Sequence, residues 1–500
     1  MPLHYQNPVI HADYADPDVI RVENDFWMVS SSFNQLPALP ILHSRDLIHW
    51  RIVNHAVKRL PSPEYDAVQH GKGVWAPSIR YHDGQFWIFY SLPDDGIFVT
   101  HTRDPLGEWS TPRCLKKAPG WIDPCPFWDD DGRAWLVHAF AYSRCGIKNK
   151  LQLIEMAPDA SRLLDDGRII FDGTPSHPTL EGPKLYKHAN EYWIFAPAGG
   201  VKRGWQTVLR AAQLSGPWQH RDVLHQGDTA INGPHQGAWV ALENGEHWFF
   251  HFQDKGVYGR VVHLQPLRWQ EDGWPAIGEP LGNAGKGQPV ILHPRPSLPV
   301  MPCSPQTSDD FPEGKPGLQW QWQANPQSQW LEASTAGLAL RCAPHTGSLY
   351  TLPQMLLQKF PAERFVVTLS LESRFSQLGD EAGLIIYGER FAALCLVREA
   401  SGVRLLLRHG WNSDRGELSE SVLPICDDMS GNPELGFHVD YDGISRFCYR
   451  VAGEAWREVT PGFSAGAGKW VGARFGLYAC GQGSETQGMA LFSHVVVREA

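Results

Sequence analysis

The sequence lacks a disulfide pattern and any long hydrophobic run. Its nine cysteines are an odd number with no Cys-X-X-Cys pair, which is unlike a secreted disulfide scaffold. No stretch approaches the roughly 20 apolar residues that a membrane span needs. The N-terminal segment has no basic region, apolar stretch and cleavage site of the secretory kind. We therefore expect free thiols in a reducing compartment and a cytoplasmic protein.

The chain also has no surplus of positive charge. Lys and Arg total 44 against 54 Asp and Glu, which gives a formal net charge of −10. Such a surface does not attract polyanions. We therefore expect no nucleic-acid partner and no membrane partner.

Helical periodicity is almost absent, whereas aromatic residues and turn formers are abundant. The chain has 21 Trp, 48 Gly and 39 Pro. This composition is typical of an all-β protein of short strands, and aromatic faces also suit stacking on sugar rings. A length of 500 residues allows two hydrophobic cores.

Five segments repeat one design, an aromatic pair leading into an apolar β run, at intervals of 48 to 60 residues. Hairpin-forming Asp, Asn and Gly clusters precede four of them, and a second strand follows each. Four-stranded repeats of this period are typical of propeller blades, so we predict a five-bladed β-propeller over residues 1–292. An ordinary meander sandwich is the alternative, but sandwiches lack so long a period. The five segments are Phe26-Trp27-Met28-Val29, Phe86-Trp87-Ile88-Phe89, Ala134-Trp135-Leu136-Val137, Tyr192-Trp193-Ile194-Phe195 and His247-Trp248-Phe249-Phe250.

Residues 293–308 are rich in proline and have no strand pattern. This composition predicts a stiff linker and a domain boundary. Beyond it, apolar segments such as 365–371 and 383–387 again read as strands. We predict a jelly-roll-like β-sandwich over residues 309–500.

Three acidic residues stand out by their position in the repeats. A propeller holds its ligand at one end of the axis, where the innermost strand of each blade begins. Asp16, Asp123 and Glu181 lie shortly before the aromatic segments of blades one, three and four. A proline directly follows each aspartate and follows Glu181 after one glycine, so we expect extended backbone that holds each acid at a strand's start. The alternatives are plain Asp-Pro turns and a solvated glutamate.

Over residues 5–280 the sequence resembles glycoside hydrolase family 43, which includes arabinofuranosidases and xylosidases. The resemblance is carried by several short motifs in order and at blade spacing. The segment after the linker also looks like the sandwich appended to the xylosidase-type branch of that family. The motifs include Ala15-Asp16-Pro17-Asp18, Val74-Trp75-Ala76-Pro77-Ser78, Ile122-Asp123-Pro124, Glu181-Gly182-Pro183 and Gly233-Pro234-His235-Gln236-Gly237.

The resemblance implies a division of labour among the three acids. Asp16 would be the general base, Glu181 the general acid, and Asp123 the group that tunes and orients the acid. Glycoside cleavage needs one carboxylic acid for the leaving oxygen and one carboxylate for water, and a neighbouring anion favours the protonated acid. Members of the family invert the anomeric configuration of the sugar. This predicts that the carboxyl groups of Asp16 and Glu181 lie about 6.5–9.5 Å apart.

The resemblance also assigns residues around the acids. Phe33 and Trp75 would be walls of the sugar pocket, with a place in the propeller core as the alternative. Arg260 would reach substrate hydroxyls, with a structural salt bridge as the alternative. His235 matches an axial histidine that binds a water-surrounded Ca²⁺ in several members. The sequence offers no carboxylate cage for calcium, so a core histidine is the alternative, and no cofactor is required.

Together these features predict an exo-acting, inverting hydrolase that removes terminal arabinofuranosyl or xylosyl units from short plant-cell-wall oligosaccharides. The sandwich is expected to lean on the propeller and narrow the cleft. Arg103-Asp104-Pro105 is a feature of invertase-like retaining enzymes, but here we expect it in an outer loop. A non-catalytic sugar-binding propeller is the other alternative, and it predicts loss of one of the three acids. The preferred pentose and the oligomeric state, including a homo-oligomer, stay open.

Overall fold

The computed structural model describes residues 3–282, 285–413, 416–429, 431–482 and 486–500. Within these ranges nearly every regular element is a β-strand, and the one α-helix there is the four-residue Tyr142–Cys145. Short 3₁₀ turns occupy six further segments of the described chain, for example Pro63–Asp66 and Gly256–Tyr258. None of the helices in the described ranges has the length and apolar character needed to cross a bilayer.

The N-terminal half forms the predicted five-bladed propeller. Each blade is an antiparallel sheet in which the chain runs by hairpins from the innermost strand outward. The five aromatic segments all lie in the second strand of their blade. The strands of blades one, two and three are Asp18–Val22, Asp25–Val29, Ala38–Ser44 and Arg51–Val57; Trp75–His82, Gln85–Leu92, Gly96–Thr102 and Arg113–Lys117; and Trp121–Trp128, Ala134–Phe140, Lys150–Met156 and Arg168–Asp172. Those of blades four and five are Lys184–His188, Glu191–Ala198, Trp205–Ala211 and Gln219–Leu224; and His235–Ala241, His247–Asp254, Arg260–Trp269 and Pro275–Ile277.

Aromatic contacts join every pair of neighbouring blades, which explains the repeated aromatic segments. Burying one such ring contributes roughly 1.5–3 kcal/mol, and edge-on or offset ring pairs add to this. The repeat is therefore the packing unit of the propeller. In order around the axis the pairs are Trp27–Phe86, Trp87–Trp128, Phe127–Tyr192, Phe195–Trp239 and Phe250–Trp50, with ring centroids 5.5, 5.8, 6.0, 6.1 and 5.7 Å apart.

Short strands complete the propeller. Lys286–Gln288 lies parallel to the outer strand of blade four and pairs with Glu279–Leu281. His4–Gln6 pairs with Leu292–Pro294, so the proline-rich segment predicted over 293–308 begins inside a strand. The side chain of Asn7 ties this corner to blade five by donating to the Leu264 carbonyl at 2.7 Å.

The C-terminal half forms the predicted β-sandwich of two sheets. Its core includes Tyr258 and Val261 of blade five, so the two domains share one hydrophobic cluster. The first sheet contains Gln321–Trp322, Ala343–His345, Met355–Lys359, Glu381–Tyr387, Arg390–Glu399, Gly402–Asn412, Leu418–Cys426 and Arg474–Gln482. The second contains Leu331–Glu332, Leu338–Arg341, Phe365–Arg374, Pro433–Val439, Ile444–Val451, Arg457–Glu458, Phe463–Ser464 and Met489–Glu499.

All nine cysteines are free thiols, as the sequence predicted. They are scattered over both domains and have no disulfide partner. Non-covalent contacts therefore hold the two domains together.

The hairpin order of each blade decides where the functional residues meet. The innermost strand begins at the end of the propeller where the second strand stops and the third begins. The starts of the five inner strands and the loops between second and third strands therefore share one face. Asp16, Asp123 and Glu181 all lie at this face, next to the starts of inner strands.

Candidate active site

A cavity of about 300 Å³ opens at this face of the propeller. The structure brings together there six of the seven residues that the sequence singled out. The seventh, His235, lies directly behind Glu181. The predicted residues that line the cavity are Asp16, Phe33, Trp75, Asp123, Glu181 and Arg260, and they are joined by Ala76, Ile122, Thr179, Gly200, Val201, Gln236 and Trp470.

The backbone around the cavity is strained. The expectation of extended backbone was wrong at the two aspartates, because Asp16 and Asp123 have φ of 54° and 56°, in the left-handed region. A following proline excludes the right-handed helical region, and aspartate tolerates the left-handed one better than most residues. A β-bulge between Ile122 and Cys125 supplies the local geometry at Asp123. Phe33, Thr179, Gln236 and Trp470 also have positive φ.

Asp16 lies buried between a hydroxyl and a guanidinium. The Ser31 hydroxyl donates to its Oδ2 at 2.5 Å, and Arg260 Nη1 lies 3.8 Å from the same oxygen. Burial raises the pKa of the Asp16 carboxyl, and Glu181 adds to the rise, whereas Arg260 and Ser31 lower it. Within the described residues, Oδ1 has no hydrogen-bond partner, so it can accept a proton from water.

Asp123 is tied to the peptide bond that follows Glu181. The Gly182 N–H donates to Asp123 Oδ2 at 2.8 Å, and Gln236 Nε2 lies 3.4 Å from the same oxygen. Burial, followed by the charges of Glu181 and Asp16, raises the pKa of Asp123 well above its usual range. Asp123 thus positions Glu181 through the backbone.

Glu181 is the most accessible of the three acids, with its side chain 21% exposed. His235 is fully buried, and its Nε2 lies 2.7 Å from Glu181 Oε1. His235 Nδ1 is buried without a partner in the described structure. A bare ring nitrogen is tolerated there better than a bare N–H, so we assign the proton to Nε2, which donates to Glu181. This bond fixes one oxygen of the carboxyl and leaves the other for substrate.

Arg260 links the acids to the aromatic wall. It begins the third strand of blade five and is 7% exposed. Its guanidinium carbon lies 5.8 Å from the Phe33 ring and 5.9 Å from the Trp470 ring. The backbone of Phe33 is held by a two-way bridge to Val74. Arg260 therefore faces the cavity between a carboxylate and two rings, and is no ordinary surface salt bridge.

Trp470 was missed by the sequence analysis, and it comes from the sandwich. Its ring packs edge-on against Trp75 at 6.4 Å between centroids. It stays 43% exposed, so it forms the outer wall of the cavity. The glycine-rich segment 462–472 around it could have signalled a loop built for close approach to another domain.

Gln236 was also missed as a cavity residue, although it stands inside a recognised motif. It lies at the β-bulge between His235 and Gly237, which turns its side chain toward Asp123. A bulge cannot be read from one sequence, because it adds a residue without a composition signal. For its neighbour His235 the sequence left two roles open, a calcium ligand and a core histidine.

A protein-built metal cage is not found around His235. In the described ranges no group of three or more His, Cys, Asp or Glu side chains is placed to hold a metal ion. His235 Nε2 is engaged with Glu181, and calcium prefers several oxygen ligands. The donors present do not fit a calcium ion held by the protein alone, and the water-surrounded axial calcium stays a prediction.

Arg103-Asp104-Pro105 lies where the sequence predicted. It connects the third and fourth strands of blade two, and Arg103 and Asp104 are exposed. This connection is at the opposite face of the propeller from the three acids. The feature shared with invertase-like enzymes is therefore not part of the cavity.

Family comparisons agree with the division of the chain into two domains. Residues 5–275 match the model of glycosyl hydrolases family 43. Residues 308–498 match the beta xylosidase C-terminal concanavalin A-like domain.

Relatives and solved structures match nearly the whole chain. A putative beta-xylosidase from Xylanibacter ruminicola is 37% identical over 94% of this chain and 85% of its own length. A non-reducing end alpha-L-arabinofuranosidase from Bacteroides ovatus is 27% identical over 76% of this chain and 73% of its own. The crystal structure of a xylan beta-1,4-xylosidase from Bacillus halodurans covers 99% of this chain and all of its own with a TM-score of 0.87 and 24% identity, so it shares the fold. The chain belongs to glycosyl hydrolase family 43.

Proposed function

We propose that the protein is an exo-acting, inverting glycosidase that releases terminal β-D-xylosyl or α-L-arabinofuranosyl units from short oligosaccharides. The observation that carries the proposal is the single cavity in which Asp16, Asp123 and Glu181 meet under aromatic walls. Relatives named beta-xylosidase and alpha-L-arabinofuranosidase support both sugars. The small oligosaccharide is the only partner that the proposal needs.

Asp16 acts as the general base. Water bound at its Oδ1 attacks the anomeric carbon, and the carboxylate takes the proton of that water. Arg260 and the Ser31 hydroxyl favour the ionised carboxylate, which opposes the effect of burial on its pKa. A proton on Glu181 would remove the repulsion between the two acids and further favour the charged base.

Glu181 acts as the general acid. It gives its proton to the glycosidic oxygen as the bond to the anomeric carbon breaks, and the leaving alcohol departs neutral. His235 holds Oε1, so the other oxygen carries the proton toward the substrate. Asp123 accepts the Gly182 N–H and so fixes the Glu181–Gly182 peptide. Attack and departure on opposite faces invert the anomeric configuration.

Exo action follows from the size and closure of the cavity. A volume of about 300 Å³ lies at the lower end of small-molecule sites. Trp75 and Trp470 close it from the two domains. A terminal sugar fits such a cavity, whereas a chain that continues in both directions does not.

The acid and base can be separated by leaving-group dependence. We expect Glu181→Gln to lower kcat on xylobiose or an arabinosyl disaccharide by about 100-fold to 10,000-fold, and much less on 2,4-dinitrophenyl glycosides, whose leaving group needs no proton. Asp16→Asn should lower kcat on both substrates by a similar factor, because water activation is needed for each. Steady-state kinetics on the two substrate classes measure this.

Glu313→Gln is the matched control, since this exposed glutamate pairs only with Lys315 on the sandwich surface. Equal losses for Glu181→Gln on both substrate classes would contradict the acid role. Proton NMR of the first-formed anomer tests stereochemistry in the same samples. Retention would overturn the inverting assignment, and a panel of nitrophenyl pentosides reports the preferred sugar.

The role of Trp470 in exo closure is tested by Trp470→Ala. We expect KM for a short pentoside to rise about tenfold while kcat changes less, because a stacking wall is lost and the acids are untouched. Trp411→Ala is the control, since Trp411 is 52% exposed and lies on the sandwich sheet. An unchanged KM for Trp470→Ala would show that the sandwich is no part of the sugar site.

A further inference from the structure

A second and larger cavity lies at the junction of the two domains. Its volume is about 500 Å³. It is lined by the N-terminal segment 6–14, the blade-one turn 48–50, the linker residues 303–307, and parts of the sandwich including Gln358 and Lys359. A cavity of this size can hold a small ligand.

Lys359 is the residue of this cavity that most strongly indicates a ligand. It ends the strand Met355–Lys359 and lines the cavity. Its Nζ donates to Gln321 Oε1 at 3.3 Å and lies 5.0 Å from the centre of the Tyr14 ring. Among the described residues, no carboxylate oxygen lies within ion-pair distance of this ammonium. Lys359 is half-buried, and a cation withdrawn from water without a counter-charge is unfavourable.

The nearest acid is already committed elsewhere. Asp13 Oδ2 lies 2.8 Å from Arg474 and accepts from the Gly472 N–H at 3.0 Å, while its Oδ1 accepts from the Arg260 N–H at 2.9 Å. Two cations therefore share one carboxylate. Burial lowers the pKa of Lys359 to about 7. The charge of Arg474 adds to this effect, whereas the charge of Asp13 opposes it. An anion bound in the cavity would supply the second negative charge.

The remaining lining favours a hydroxylated ligand. Tyr14 lines the cavity, and His11 Nδ1 is buried without a partner in the described chain. Burial lowers the pKa of His11 to about 4, so this ring is a neutral hydrogen-bonding group. Thr307 and Gln358 add a hydroxyl and an amide to the wall. The one acidic residue among those lining the described cavity is Glu499, which is exposed to solvent.

We propose that the junction cavity is a binding site for a small polyhydroxylated carboxylate, such as a uronic or aldonic acid, with its carboxylate on Lys359. The hydroxyl groups meet Tyr14, His11 and the amide-lined wall. This site is separate from the sugar cavity, and the proposal does not rest on the hydrolase function. Tyr14 stands two residues before Asp16, so occupancy also stiffens the segment that carries the proposed base.

Isothermal titration of the full-length protein with sodium D-glucuronate tests the site, with D-glucose as the uncharged comparison. We expect glucuronate to bind at least tenfold more tightly than glucose. Lys359→Met should weaken glucuronate binding at least tenfold, because it removes the ammonium and keeps the stem. Lys315→Met, at an exposed sandwich lysine, should leave binding unchanged. Equal affinity for the two sugars, or undiminished binding by Lys359→Met, would overturn the proposal.

A measurement on the unaltered protein covers the case in which Lys359→Met does not fold. Brief acetylation near pH 7, read by peptide mass spectrometry, should modify Lys359, since a lowered pKa leaves part of it as free amine. D-glucuronate should reduce modification of Lys359 several-fold and leave Lys315 unaffected, and D-glucose should protect neither. Absence of selective protection by saturating glucuronate would refute the site.

Discussion

At the scale of single residues, the sugar cavity collects features that other parts of a protein avoid. Asp16 and Asp123 carry left-handed backbone, and such residues cost on the order of 1–3 kcal/mol each. The same two carboxyls are buried beside Glu181, and burial raises the pKa of both. These features therefore lower the stability of the fold, and the cavity retains them because catalysis needs them.

Asp123→Asn tests whether the buried carboxyl lowers stability while it supports activity. The folded-state pKa of Asp123 is raised above the unfolded value, so its favourable contribution exists at low pH and is lost as the pH rises through the folded pKa. At neutral pH the wild-type carboxyl thus destabilises the fold. We expect Asp123→Asn to raise the melting temperature at pH 7 by about 2–4 °C, with less gain near pH 4, and to lower kcat/KM. Thermal unfolding at both pH values measures this.

Asp83→Asn is the matched control for the backbone. Asp83 also has a positive φ, of 49°, but lies in an exposed hairpin turn. Asparagine tolerates this conformation well, so any gain from the backbone alone appears in both variants. A gain for Asp123→Asn no larger than that control would refute the electrostatic explanation.

The sequence predicted the acids, Phe33, Trp75 and Arg260 as cavity residues, because short motifs around them occur in a recognisable order. It did not predict the left-handed backbone at Asp16 and Asp123, since a proline indicates only which region is excluded. Trp470 was beyond its reach, because the contact joins segments about 400 positions apart through a domain interface. The glycine-rich segment around Trp470 can indicate a loop, but a local pattern does not say which residue that loop contacts.

At the scale of elements, bulges and tight turns aim the side chains at the axis. The inner strands of blades two, three and five each change register near their start. The turn that carries Glu181 uses glycine at 182, with φ of 58° and its amide on Asp123. A Cβ there would lie 2.7 Å from Gln236 Cδ. The turn is therefore shaped to keep acid, aspartate and glutamine in contact.

Gly182→Ala should disturb that contact more than it disturbs the fold. The methyl group must displace Gln236, which moves the donors to Asp123 and misaligns Glu181. We expect kcat to fall at least tenfold, since small misplacements of catalytic groups carry large penalties. Steady-state kinetics alongside circular dichroism check this.

Gly245→Ala provides the comparison. Gly245 has φ of 85° in a hairpin turn, and nothing lies within 4 Å of a Cβ there. Gly245→Ala therefore has only the energetic cost of placing an alanine at positive φ. Activity lost equally in both variants would show that strain, and not the clash with Gln236, is responsible.

The blades themselves were predictable from the sequence. Four of the five aromatic segments supply a ring to a contact between blades, and the third packs on neighbouring blades through apolar clusters, so the sequence repeat corresponds to the packing repeat. Strand pairing within a blade follows from short hairpins. The extra strands on blade four and the pairing of His4–Gln6 with Leu292–Pro294 were not predicted, because three-residue strands leave no period to detect.

At the scale of the whole molecule, Asp13 joins the two domains at the edge of the cavity. It holds the backbone of Arg260 in the propeller and of Gly472 in the sandwich, and pairs with Arg474. Gly472 follows Trp470 by two residues. Domain contact and cavity shape therefore depend on the same buried carboxylate.

Arg474→Met should damage stability and substrate binding together. The Asp13–Arg474 pair is 2% and 4% exposed, and breaking such a pair by removing one partner costs about 3–5 kcal/mol. We expect a clearly lower melting temperature and a raised KM, because Trp470 loses its support. Calorimetry and pentoside kinetics measure the two effects.

Arg364→Met removes an exposed pair with Asp440 and should cost about 1 kcal/mol or less. It controls for the loss of an arginine from the sandwich. A similar loss of stability in both variants, or an unchanged KM for Arg474→Met, would contradict the coupling of interface and cavity.

The reach of Asp13 across the chain has a consequence for biosynthesis. Its partner Gly472 is 459 positions away, so a ribosome makes every proposed acid long before it makes the wall that closes over them. A nascent chain with a finished propeller still has an open and unsupported cavity. We therefore expect efficient binding of a pentoside only after the sandwich has been translated and has folded against the propeller.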